Sequence, residues 1–136
     1  MRPYRVLFVC LGNACRSQMA EAFARAYGDG VLVPYSAGLQ PAGMVSPVSA
    51  SLMLEKNISL DGHTSKGFER TGKQFDLIVN MSGLPLPRRA SAPVREWAVE
   101  DPVWLPEARQ RQIRDQIEQL VRELIRELRA GAEARV

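Results

Sequence analysis

The sequence predicts an α/β fold, a four-stranded parallel sheet with helices on both faces, in a single domain over residues 1–136. Two observations carry this. Short runs rich in Val, Ile, Leu and Phe show no period-two alternation, as expected of strands buried on both faces. Stretches with apolar residues three and four apart lie between them, so strands and helices alternate. A chain of 136 residues suits one core, and no repeat, low-complexity segment or linker divides it.

Tyr4 to Val9 reads as a central buried strand. From Ser17 to Tyr27 the period becomes helical, with Met19, Ala20, Phe23, Ala24 and Tyr27 on one face and Gly28-Asp29-Gly30 as the stop. Val31 to Tyr35 is a second strand, followed by Ser36-Ala37-Gly38 as a turn. Pro47 to Glu55 is a helix capped by Ser46, with Pro47 at its first position and Val48, Leu52 and Leu54 as buried residues. A short helix is expected from Thr64 or Ser65 through Gly72. Phe75 to Asn80 is the third strand, the proline-rich stretch from Ser82 to Pro93 a loop, and Arg95 to Val99 the fourth strand. Glu107 to Leu128 is the clearest helix. Ile113, Ile117, Leu120, Val121, Leu124, Ile125 and Leu128 form its stripe, Pro106 suits its first turn, and the last eight residues are expected to fray.

Composition narrows the function classes. Hydrophobic residues make up 46% and charged residues 24%, an ordinary globular balance, and no run approaches the roughly 20 apolar residues of a membrane span. No signal-peptide pattern is visible, so a cytoplasmic location is the expectation, with no membrane partner. The formal net charge of +3 favours anionic substrates. Arg88-Arg89 and the C-terminal arginines cluster without aromatic interleaving, which argues against nucleic acid as a partner. Two cysteines and one histidine exclude a four-cysteine zinc site and argue against any zinc site.

The chemistry concentrates in Cys10-Leu-Gly-Asn-Ala-Cys15-Arg16-Ser17, between the first strand and the first helix. A doubly charged tetrahedral oxyanion needs many N–H donors, positive charge and no competing carboxylate. Leu11, Gly12, Asn13, Ala14 and Cys15 include no acid. Gly12 permits unusual backbone conformations and Asn13 tolerates the left-handed region, so the amides can turn inward as an anion nest. The following helix adds the free N–H groups of its first turn, and Arg16 can grip two oxygens at once. The same positive field favours Cys10 as a thiolate, the nucleophilic form, and Ser17 can donate to its sulfur. By itself Cys10 also reads as a small buried hydrophobe, and Cys15 reads equally as packing or function. Asp101, in Glu100-Asp101-Pro102, is the candidate acid for a leaving group. Asp-Pro is also an ordinary turn pair, and Glu100 is an alternative acid.

With these residues the chain resembles the low-molecular-weight protein tyrosine phosphatases and their relatives, the thioredoxin-linked arsenate reductases. Val9 to Ser17 matches the phosphate-binding loop, Met19-Ala20-Glu21 follows it, and Ser36-Ala37-Gly38 and Asp101-Pro102 match as well. The resemblance implies a phosphotyrosine phosphatase I-like fold without metal or cofactor. It implies Cys10 as the nucleophile of a phosphocysteine intermediate, Leu11 to Ser17 as the phosphate-binding loop and Arg16 as the phosphoryl clamp. Asp101 would be the acid that later activates water, and Asn13, Ser36 and His63 a network holding the loop. His63 alone also reads as a surface loop residue.

The two branches pull in different directions. Gln18 stands where the phosphatases usually carry proline, Ser82 follows Met81 where they carry Asp, and Val103-Trp104 replaces a tyrosine pair after Asp-Pro. Trp104 reads either as an aromatic wall or as packing. The reductases use two further cysteines near the end of the third strand, and this chain has none beyond Cys15. The resulting expectation is a phosphatase acting on phosphotyrosine in proteins or on small aryl phosphates. The alternatives are an arsenate reductase that draws on an external thiol, and a non-catalytic oxyanion or redox-sensing module in which Cys15 traps Cys10 as a disulfide.

Overall fold

The computed structural model describes residues 2–68, 74–86 and 92–134. In chain order the elements are β1 (Tyr4–Cys10), α1 (Arg16–Tyr27), β2 (Leu32–Gly38), α2 (Pro47–Leu54), β3 (Leu77–Asn80), β4 (Val94–Glu96) and α3 (Glu107–Ala134). The strands form one sheet in the order β2-β1-β3-β4, with every pair parallel.

Both faces of β1 are buried, which explains its unbroken apolar run. Val6, Phe8 and Cys10 point into the main core with Met19 and Phe23 of α1 and Ile113, Ile117 and Val121 of α3. Leu7 and Val9 point the other way with Ala37 and Ile78, beneath Phe68, Phe75 and Leu86. The order of strands reverses at β1: its successor β2 lies on one side and β3 on the other. In open parallel sheets ligands bind at the carboxyl edge beside such a reversal, and Cys10 ends β1 there.

Several expectations change. Ser36-Ala37-Gly38 is strand, not turn, because Phe8, Val9 and Cys10 of β1 pair with these residues in register. Ser46 does cap α2, accepting from Ser49 N at 3.3 Å. However, Val48 and Leu54 are exposed, and the helix buries Ser49, Leu52 and Met53 instead. Two turns of mostly apolar helix leave its inner face ambiguous. β4 is shorter than expected, and α3 runs six residues beyond Leu128. Glu127 pairs with Arg95 at 2.7 Å, and the Tyr4 hydroxyl lies against Gly131, so this end has a bed. Thr64 to Lys66 is irregular, and Gly67 bridges to Gly38. Residues 69–72 of that expected short helix, and Arg88-Arg89, lie outside the described residues. No helix among the described residues is long and apolar enough to cross a membrane.

Candidate active site

β1 delivers Cys10 to the sheet edge, and α1 starts at Arg16, so residues 11–15 must wrap the chain into a tight bowl. Asn13 makes the sharpest turn, with φ of 48°. Gly12 does not take a positive φ, so the freedom expected of it is not what the loop uses. The glycine that matters is Gly38. A Cβ there would lie 2.8 Å from both Asn13 N and Leu11 O, so β2 can pass under the bowl only without a side chain.

The hydrogen bonds of the bowl are sorted by direction. The carbonyls of Cys10, Leu11, Gly12 and Ala14 accept from the amides of Leu39, Gln40, Ala42 and Ser46 at 2.8–3.1 Å. Gly12 O also accepts from Ser65 Oγ, Asn13 O from Gln18 Nε2, and Cys15 O from Met19 N. Every carbonyl from Cys10 to Cys15 therefore faces outward to a partner. Among the described residues no protein acceptor meets the N–H groups of residues 11–17. Buried amides require acceptors, and a concave row of free ones is an anion nest at a helix N-terminus.

Cys10 is 2% exposed, with Sγ 3.0 Å from Ser17 Oγ. Asn13 Nδ2 donates to that oxygen at 2.8 Å, which leaves the Ser17 proton free for a Cys10 thiolate. Arg16 is also buried, and its Nη1 donates to Met81 O at 2.5 Å and Val99 O at 3.0 Å, tying it to the chain just beyond β3 and β4. Its Nη2 lies 3.5 Å from Asp101 Oδ2. Asp101 makes the turn, with Oδ1 accepting from Val103 N in an Asx turn, and places Oδ2 beside Arg16. Glu100 instead pairs with Arg109 at 2.8 Å and lies outside the cleft that holds Cys10.

That cleft encloses about 260 Å³ over Cys10, Gly12, Ala14 and Arg16, with Ala42, Asp101 and Val103 at its rim. Cys15 lines it as well, but is 6% exposed; burial pushes its thiol pKa up, against the opposing effect of the Ser49 and Ser46 side chains nearby. Trp104 is not a wall. It is 97% exposed, on a left-handed backbone with φ of 68°. Among the described residues no group of three or more His, Cys, Asp or Glu side chains could hold a metal ion.

Residues 5–91 match the family model described as low molecular weight phosphotyrosine protein phosphatase. The chain belongs to that family. It is 33% identical over 126 residues to a glutaredoxin arsenate reductase of Synechocystis sp., covering 89% of this chain and 95% of the relative. It is 34% identical over 119 residues to an arsenate reductase of Staphylococcus xylosus, covering 82% and 88%. A solved arsenate reductase in a phosphate-binding state superimposes with a TM-score of 0.84 at 32% identity, over 94% of this chain and 99% of that one. An arginine phosphatase from Geobacillus stearothermophilus shares the fold, with a TM-score of 0.76 at 24% identity over 95% of both chains. The family is one of enzymes, phosphatases and arsenate reductases alike.

Within this family member the loop-holding network runs through residues to which the sequence assigned no role. Gln18, fully buried, accepts from His63 Nδ1 at 2.8 Å, and its Nε2 donates to Asn13 Oδ1, Asn13 O and Thr64 O. His63 thus reaches Asn13 only through Gln18. Ser36 does not touch Asn13. It donates a short hydrogen bond to Glu21 and accepts from Lys66 Nζ at 3.3 Å, while Lys66 N donates to Asn13 Oδ1 at 2.9 Å. Burial lowers the pKa of both His63 and Lys66, most directly by disfavouring their charged forms. The available signal was polar residues, Gln18 and Glu21, on a helix that is buried nearly all round.

Proposed function

We propose that this enzyme reduces arsenate, with Cys10 as nucleophile and an external thiol as reductant. The observation that carries the reading is the shape of the site: an amide-lined cleft of about 260 Å³, with Trp104 turned to solvent so that no aromatic slot extends it. A compact tetrahedral oxyanion needs only the loop amides and Arg16, whereas an aryl ester meets no aromatic side chain among the described residues that line this cleft. The names of the relatives at 30% identity and above support the same reading.

In this mechanism the Cys10 thiolate attacks arsenic held by the loop amides and Arg16. A sulfur–arsenic bond forms, and one arsenic–oxygen bond breaks, its oxygen leaving as water after protonation by Asp101. An external thiolate then attacks Cys10 Sγ. The electron pair of the sulfur–arsenic bond passes to arsenic, which departs as arsenite, and a mixed disulfide remains. A second thiolate releases Cys10. Two thiols are oxidised and arsenic gains two electrons. A cytoplasmic location, where thiols are kept reduced, suits this chemistry.

The second reading is the phosphatase expected from the sequence, and Asp101 favours it. Its carboxylate is 46% exposed at the cleft mouth, where it could protonate an ester's leaving oxygen. One sample assayed in parallel separates the two. Thiol-dependent arsenite formation well above aryl phosphate hydrolysis is expected, and no turnover of arsenate with either glutathione or a thioredoxin-type protein would overturn the proposal.

A further inference from the structure

We propose that a groove beside the oxyanion cleft seats the reducing thiol, and that this thiol is a small amino-acid-derived one. This rests on the arsenate reductase reading. The groove encloses about 510 Å³, roughly twice the cleft, and shares Leu11, Arg16 and Asp101 with it as a common rim. Beyond the rim it runs over Trp97 and Ala98 on one side and Ser82 and Gly83 on the other. Nothing in oxyanion binding uses this space.

Three observations point to a slender ligand. Cys10 is 2% exposed and lies beneath the bound anion, so its sulfur suits a narrow molecule crossing the rim better than a broad surface. The only other thiol, Cys15, is buried, and burial pushes its pKa up, which makes it a poor attacking group. The volume suits a tripeptide-sized molecule. Charge defines the class further. Glu100 lines the groove and pairs with Arg109 at 2.8 Å, each about half exposed, so a charge of each sign stands beside it. That pair matches the ammonium and carboxylate of a zwitterionic amino acid, while Ala98 offers apolar contact to its stem.

With its body in the groove, the thiol's sulfur crosses the Leu11–Asp101 rim as thiolate and forms a bond to Cys10 Sγ. The sulfur–arsenic bond breaks toward arsenic, arsenite leaves by the open cleft, and a second molecule of the same thiol resolves the mixed disulfide.

Glutathione is the probe. Ala98 is exposed and outside the catalytic machinery, so Ala98→Trp fills the groove. The Michaelis constant for glutathione is expected to rise at least tenfold, while that for arsenate, and arsenate's protection of Cys10 from iodoacetamide, stay unchanged. Glu100→Gln is expected to raise the glutathione constant several-fold in the same selective way. S-methylglutathione, which cannot form a disulfide, should compete with glutathione and shift the amide resonances of Ser82 and Ala98. Failure of S-methylglutathione to bind, an unchanged glutathione constant in Ala98→Trp, or reduction supported only by a thioredoxin-type protein would each overturn the proposal. Should no thiol support arsenate reduction while S-methylglutathione still binds at Ser82 and Ala98, the proposed function falls and the groove stands as a thiol site.

Discussion

Gln18 Nε2 reaches both oxygens of Asn13, the carbonyl and Oδ1, at 3.0 Å each. Asn13 is the residue that turns the anion loop through the left-handed region, and its own amide orients Ser17 toward Cys10. One side chain on α1 therefore holds the loop's sharpest bend and, through one further hydrogen bond, the hydroxyl beside Cys10. Gln18→Met keeps the volume and removes the bonds. It is expected to lower unfolding stability by about 2 kcal/mol, since buried groups on Asn13, Thr64 and His63 lose partners. Iodoacetamide should also alkylate Cys10 more slowly. Denaturant unfolding and alkylation rates check the two halves separately.

Asp101→Asn separates binding from proton transfer. The carboxylate lies 3.5 Å from Arg16 Nη2 and competes with a bound anion for that group. Turnover is expected to fall about 100-fold. Phosphate affinity, measured by calorimetry, should hold or tighten. If aryl phosphates are hydrolysed at all, those with poor leaving groups should lose more than those with good ones.

Gly38→Ala tests whether β2 must be bare where the loop crosses it. A new Cβ would stand 2.8 Å from Asn13 N and Leu11 O, both backbone atoms that cannot swing aside. A stability loss of about 1–3 kcal/mol is expected. Phosphate is expected to raise the melting temperature of the wild type, and in Gly38→Ala that rise should shrink or vanish.

His63 is the only histidine, so its ring resonances titrate without overlap. Burial lowers its pKa in the folded state, so the unfolded chain binds its proton first as pH falls. Between the folded midpoint and the unfolded value of about 6.5, stability should rise with pH and be lost on acidification. His63→Gln should flatten that part of the stability–pH curve. An NMR midpoint above 6.5 would contradict the sign.

The loop was legible because its parts are neighbours in sequence. Cys10, Asn13, Arg16 and Ser17 fall within eight positions, and their chemistry can be argued from residue type and order. The strands were legible because burial on both faces erases alternation. Gln18 meeting His63 and Glu21 meeting Ser36 were not legible, because each contact spans a strand and a connection whose course depends on the sheet order. The roles of Gly12 and Gly38 were exchanged for the same reason: a glycine's need for space shows only when another segment passes over it. Trp104 could not be assigned to wall or core, because its side follows from an Asx turn made by Asp101 three residues earlier.

The loop that turns its carbonyls outward and its amides inward has a consequence for selectivity. Such a bed recognises tetrahedral shape and charge, and phosphate offers nearly the same of both. Discrimination between the two elements then falls to the step after capture. Arsenic can accept an electron pair from sulfur and leave, while phosphorus cannot. On the proposed arsenate reductase reading, phosphate is a bystander that occupies the bed without being consumed, and the rate of arsenate reduction is expected to follow the ratio of arsenate to phosphate around the enzyme.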